Sequence, residues 1–330
     1  MTLADIGALV VRGAYWLALV ICAAIVGVAS CTSPAKRPLD SSSFRVALLT
    51  PGPVSDAGWN AAAFDGLQLI KAKLGAEIAL VQTRSPADFE DGFRDFASRR
   101  FNLIFAHGYE YTESAIGVAR DFPKVYFVVS SGSQWSRNVA SLTFKVDQAA
   151  YVEGVLAGGV TKTGVVGAIG GIELPSIRLT FEGFRRGFLS VRPNGRLLVS
   201  YIGKFDDVGA AKEAALAQIS QGADIIVHDA DAAGLGVFQA AAQEHALAFG
   251  AIRNQNDVVP GVVLASAVTS TAQAFLRIAT EVRDNRFRPG MLEFGMEDGM
   301  VKVVLNPKLE SRIPESAMKR FLAAERQFNH

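Results

Sequence analysis

The chain has 330 residues, half of them hydrophobic, with 33 basic against 32 acidic residues and a formal net charge of +1. That length can fill two cores of ordinary domain size. The lack of a basic excess excludes a nucleic-acid partner, whose phosphates would have to be neutralised, and the absence of a short internal repeat excludes solenoids and propellers.

The amino terminus carries a targeting signal. Arg12 precedes an uncharged run from Gly13 to Ala29, followed by Ser30 and Cys31. The run is short for a spanning helix, which needs about 20 apolar residues, and suits a secretory signal. Val28-Ala29-Ser30-Cys31 resembles the bacterial lipoprotein box. On that reading residues 1–30 are removed, Cys31 carries lipid, and Cys22 is lost with the signal, so no internal disulfide forms. The alternative is an uncleaved anchor helix; either way the body is tethered to a membrane. Thr32–Ser43 is polar, with Pro and Ser, and reads as a flexible tether over residues 31–43.

From Phe44 onward apolar runs alternate with helical patterns. Arg45–Thr50 is a strand and Pro51–Gly66 (PGPVSDAGWNAAAFDG) leaves it through a Pro/Gly loop into a helix. Such a strand–loop–helix mouth, at the carboxyl edge of a parallel sheet, is where a ligand binds in this class of fold. It holds Asp56, Trp59 and Asn60, an anion, a flat ring and an amide suited to a planar polar molecule. The plainer alternative is that Asp56 caps the helix and Trp59 packs on its own domain. Strands follow at Ala76–Gln82, Leu103–His107, Val125–Val129 and Val139–Phe144, with helices at Pro86–Arg100 and Tyr111–Asp121. Tyr109 and Ser130 fall at sheet edges of this first set and are candidate cleft residues; for Tyr109, packing on its own helix is the alternative.

A second set repeats the pattern, with strands at Gly164–Ile169, Leu197–Tyr201, Ala223–His228 and Ala248–Ile252. Helices are expected at Gln148–Val160, Pro175–Val191, Val208–Gln221 and Gly234–Ala246. The later pieces, Val262–Ser266, Ser270–Asp284, Met291–Met296 and Met300–Leu305, return to lobes already built. The expected organisation is α/β: two doubly wound parallel-sheet lobes, 44–146 plus 253–290 and 147–252 plus 291–330, joined by several chain crossings over a cleft.

Catalytic and cofactor motifs are missing. The turn Gly164–Gly171 lacks the G-x-G-x-x-G spacing, Thr161-Lys162-Thr163 lacks the rest of a P-loop, and there is no G-x-S-x-G elbow. His228-Asp229-Ala230-Asp231 is the best metal candidate, but no second His stands at ligand spacing. No metal, cofactor or catalytic residue is therefore assigned, and the chain reads as a binder. Asp229 and Asp231 are candidates to receive a ligand N–H.

Asp56-Ala57-Gly58-Trp59-Asn60 followed by Gly66 resembles the D-x-[SG]-[FW]-N…G opening of the basic membrane protein family, the purine nucleoside receptor lipoproteins. The likeness continues through Val139–Phe144, Tyr151–Gly154, Gly183-Phe184 with Gly187, Tyr201–Asp207, Gly222–Asp224, Gly234–Val237 and Gly295–Val301. It spans Phe44 to Pro307. The resemblance implies a type I periplasmic-binding-protein fold with a three-crossing hinge, and delivery of ligand to a separate ABC permease and ATPase. It also implies a purine ring held between one aromatic from each lobe, Trp59 and Phe205, with Asn60 and Asp56 on its heteroatom edge. The stretch Gly250–Gln255 departs from the family's G-V-D-x-D-Q: the ribose-binding aspartate position is Ile252, and Asn254 in that stretch is added to the ligand set. A lysine usual in the next segment is Thr269. Loss of that carboxylate favours a free nucleobase or another flat heterocycle over a nucleoside. A sensor for a membrane receptor and a two-lobed enzyme with Asp229 or Asp231 as base are the competing readings.

Overall fold

The computed structural model describes residues 43–56 and 58–329, so the signal, the tether through residue 42 and Cys31 lie outside the described residues. The first half of the body runs β1 (Arg45–Thr50), α1 (Trp59–Leu74), β2 (Glu77–Gln82), α2 (Pro86–Ser98), β3 (Leu103–His107), α3 (Thr112–Ala119), β4 (Tyr126–Ser130) and β5 (Val139–Phe144). The second runs α4 (Val146–Val160), β6 (Val165–Gly170), α5 (Pro175–Val191), β7 (Arg196–Tyr201), α6 (Val208–Ser220), β8 (Ile225–Asp229), α7 (Gly234–Gln243), β9 (Leu247–Ile252) and β10 (Val263–Thr269). The chain ends with α8 (Thr271–Arg283), β11 (Met291–Phe294), β12 (Val301–Leu305) and α9 (Glu315–Phe328).

Two six-stranded sheets result, ordered β11-β5-β4-β3-β1-β2 and β12-β10-β9-β8-β6-β7. All pairings are parallel except β10 with β12. Central strands such as β3, buried at every residue, read as continuous apolar runs because helices cover both faces. The edge strands β2 and β7 alternate between exposed and half-buried instead. Local signals agree with this: Ser85 and Asp88 form a capping box with Pro86 at the start of α2, and Gly75, in the left-handed region at φ 65°, ends α1. In the second lobe α4 and α5 touch backbone to backbone. A Cβ on Gly183 would stand 2.5 Å from Asp147 O, and one on Gly154 would meet Phe184 O. The Gly-Phe…Gly segment of the family resemblance is thus a helix-packing signature.

The chain crosses between lobes three times: from β5 to α4, from β10 to α8, and from β11 to β12. The expected boundaries shift accordingly. β10 pairs with β9, so residues 253–269 stay with the second lobe, and β11 pairs with β5, so 291–294 belong to the first. Composition does not say which sheet a late strand will join; pairing at long range does. The three crossings are tied to one another by Lys145 N to Phe294 O (2.8 Å), Ser270 N to Met300 O (2.7 Å) and Met296 N to Gln148 Oε1 (2.8 Å). Phe144, at the first crossing, packs against the cores of both lobes. The whole body, Phe44–His330, is one compact unit. The terminal helix α9 went unread in the sequence, although Ala317, Phe321 and Ala324 recur on one buried face and pack into the second-lobe core.

Candidate functional site

The loop after β1 is organised by Asp56. Its Oδ1 accepts from Gly58 N (3.0 Å) and Ala61 N (2.9 Å), and its Oδ2 from Asn60 N and Asn60 Nδ2 (both 2.8 Å). Asp56 therefore caps α1, the plainer of the two sequence readings, and its lone pairs are engaged by the protein. Asn60 is fixed by the same carboxylate, and its Oδ1 has no hydrogen-bond partner among the described residues.

Trp59, the first residue of α1, is half-buried and lies face to face on His107, with centroids 3.9 Å apart and planes at 22°. Its Nε1–H donates to His107 O (3.4 Å). His107 is fully buried at the end of β3, with Nε2 3.0 Å from Trp59 O and Nδ1 2.9 Å from Ser130 Oγ. Burial pushes its pKa down to about 3, so the imidazole is neutral. A carbonyl only accepts, so Nε2 carries the proton and Nδ1 accepts from the Ser130 hydroxyl. This assigns Ser130, read as a cleft contact, to bracing: it is fully buried at the end of β4 and holds the histidine that holds the indole. One face of Trp59 is thus covered by the imidazole.

In the second lobe Phe205 is half-buried beside Gly171, where a Cβ would collide with its ring. Its carbonyl accepts from Ala233 N (3.0 Å). The turn Asp231–Ala233 that supplies this bond also reaches the first lobe, for Asp231 Oδ1 accepts from Trp59 N (3.2 Å). The two aromatics, read as partners from a resemblance, are thus joined through one short turn. Asp229 ends β8, and burial raises its carboxyl to about 6 against a Thr180 hydroxyl. Burial raises Asp231 to about 7, helped by the charges of Asp229 and Asp56 and opposed by the Trp59 N–H. Behind them Glu153, on α4, is buried with Oε1 unpartnered among the described residues, and burial holds its pKa well above the usual range.

Other expected residues fall elsewhere. Tyr109 is 54% exposed in the turn after β3, its carbonyl taken by Thr112 Oγ1 (2.7 Å). Asn254 is exposed, and its Oδ1 accepts from Asn256 N (3.1 Å), which makes it a loop-building residue instead of a cleft contact. Next to it, Gln255 Oε1 accepts from Ala251 N (2.9 Å) and from Nε2 of buried His228 (3.0 Å). The two departures from the family pattern meet in space. Thr269 Oγ1 lies 3.4 Å from Ile252 O, on strands paired at Val268 and Ile252. Ile252 has φ 68°, a left-handed conformation in which a β-branched residue is strained. Arg253 pairs with Asp65 of α1 across the lobes at 3.0 Å. The sequence reading gives no cleft role to His107 or Glu153 and takes His228 only as a possible metal ligand. The signal present was position: both histidines stand at the carboxyl ends of equivalent central strands, β3 and β8.

Two parallel-sheet lobes with a three-crossing hinge and facing strand ends define a two-lobed binding protein of the type I periplasmic-binding-protein fold. The ABC transporter solute-binding protein of Aeropyrum pernix K1 shares it, with a TM-score of 0.79 at 19% identity over 86% of this chain and 90% of that one. The chain belongs to the PnrA-like ABC transporter substrate-binding family, whose model matches residues 44–323. It is 28% identical over 286 residues to Basic membrane protein A2 of Borrelia garinii subsp. bavariensis, covering 83% of each chain. It is 27% identical over 262 residues to a purine-binding protein of Brucella abortus, covering 78% of this chain and 74% of that one. Its class of activity is therefore the capture of a small molecule outside the cytoplasm for an ABC transporter.

Proposed function

We propose that the cleft clamps a neutral purine nucleobase, or a flat heterocycle like it, between Trp59 and Phe205, and that the protein delivers it to a separate ABC permease and ATPase while anchored by lipid on Cys31. The observation that carries this reading is the braced indole. His107 fixes one face of Trp59, leaving the other for a ring, while Phe205 is linked to the same turn from the opposite lobe. Stacking on two ring faces adds about 0.5–1.5 kcal/mol per pair beyond area burial. Asn60 Oδ1, without a protein partner among the described residues, is the acceptor we assign to a ligand N–H. Asp229 and the free oxygen of Asp231 are further acceptors; a phosphate in their place would meet carboxylates, which disfavours nucleotides.

The sugar question turns on Ile252 and Thr269. An apolar side chain and a hydroxyl bound to a neighbouring carbonyl offer little to two ribose hydroxyls, each of which is worth about 1.5–3 kcal/mol against a carboxylate. Calorimetry with adenine, guanine, hypoxanthine, xanthine and their nucleosides tests this. The bases are expected to bind more tightly; tighter nucleosides would overturn the argument. Labelled lipid incorporated by the wild type and lost in Cys31→Ala tests the anchor.

A further inference from the structure

The start of an α-helix leaves four amide N–H groups without partners inside the helix. In α1, Ala62 N makes the first internal bond, to Gly58 O, so the four are those of Gly58, Trp59, Asn60 and Ala61. Asp56 accepts from Gly58, Asn60 and Ala61. The remaining N–H, that of Trp59, donates to Asp231, 172 positions away in the other lobe. We propose that Asp231 is a positioning residue: its carboxylate completes the cap of α1 across the cleft when the lobes meet, and so sets the gap between Trp59 and Phe205.

Three features of the chain fit this role. Asp231 sits at φ 45°, a left-handed conformation that Asp tolerates better than most residues and that marks a special placement. On the receiving side Gly58 leaves the room: a Cβ there would stand 2.8 Å from Asp231 Oδ1. Two residues beyond Asp231, Ala233 N holds Phe205 O, so the turn touches one aromatic residue at each end. The ion pair of Asp65 with Arg253, also across the lobes, is solvent-exposed, a setting in which ion pairs contribute little. The gap-setting role rests on the ligand reading above; the cap does not.

Residue-resolved hydrogen exchange on the full chain in detergent micelles tests the cap without any ligand. In Asp231→Ala the Trp59 amide is expected to exchange at least about 10-fold faster, while Asn60 and Ala61, held by Asp56, keep their rates. Asp231→Asn, whose side-chain oxygen still accepts, stays within about threefold of the wild type. Gly58→Ala speeds Trp59 exchange with the carboxylate in place. General unfolding would speed the amides of β3 and β8 as well, so a change confined to Trp59 identifies the cap. Equal Trp59 protection in the wild type and Asp231→Ala overturns the proposal, whether or not a heterocycle binds. For the gap, adenine is the probe: Gly58→Ala, which pushes the cap apart and keeps the acid that could accept from the ligand, should release it about 10-fold faster with the preference for base over nucleoside unchanged, and an unchanged release rate removes the gap-setting role. A wild type that ignores adenine but shows the exchange pattern removes the ligand reading and keeps the cap.

Discussion

The two lobes repeat one plan, and their differences divide the labour. Each has a histidine at the carboxyl end of a central strand, His107 on β3 and His228 on β8, followed by a short turn, Tyr109–Tyr111 or Asp231–Ala233. In the first lobe the histidine has partners on both nitrogens and stacks under Trp59. In the second, Nε2 reaches Gln255 while Nδ1 has no partner among the described residues; burial holds the ring at a pKa of about 4 and Phe238 lies edge-on at 5.0 Å. The first turn exposes Tyr109, whereas the second sends Asp231 across the cleft. On the proposed reading the first lobe supplies the platform and the second the acids that meet it. A repeated scaffold can supply a rigid half and a responsive half by changing which side chains follow the same strand.

The largest expected effect on ligand binding separates the platform from its lid. Trp59→Ala should weaken adenine binding by about 2–3 kcal/mol, roughly 30- to 150-fold, by calorimetry. Phe205→Ala, which removes a smaller ring, should cost about tenfold. Equal losses would show that the lobes share the ring evenly. Next comes the histidine pair. His107→Leu leaves the Trp59 carbonyl and the Ser130 hydroxyl without their partner, and should lower folding stability by about 2–4 kcal/mol in denaturant titration. His228→Leu removes one bond to an oxygen that keeps Ala251 N–H, and should cost about 1 kcal/mol.

The smallest effect is the dependence on pH. In the shut cleft Asp229 is raised to about 6 and Asp231 to about 7, from an ordinary 3.8. When the lobes part, water returns and both fall back toward the ordinary value. Between these limits the shut form binds more protons, so closure is favoured on the acid side and loses ground as pH rises through 6 to 7. Calorimetry of adenine binding at pH 6 in buffers of different ionisation enthalpy should detect proton uptake, reduced in Asp231→Asn. Proton release would reverse the assignment of the acids to the closing half.

Much of the fold was legible because parallel strands buried on both faces are written as short apolar runs, and helices as a period near four. Such signals stop at pairing. Nothing in VLASAVT or MLEF says that the first stays beside β9 and the second returns to β5, since both decisions are made at long range. In the site, the order Asp56, Trp59, Asn60 singled out the mouth after β1, but the two readings of Asp56 could not be separated without knowing where its oxygens go. His107 and Ser130 were opaque for the same reason: their partners lie 48 and 23 positions away. A residue's neighbours along the chain record what it can do; its neighbours in space record what it is held to.

The three laced crossings carry a mechanical implication. Threads fastened together at a common level bend readily in one plane and resist twisting or sliding, as the leaves of a door do on a line of pins. Rotation about that line moves the strand ends nearest the pins least and the far rims most, so a captive molecule leaves through the mouth by which it entered. Stiffening a single thread would slow entry and exit together and leave the balance between them unchanged.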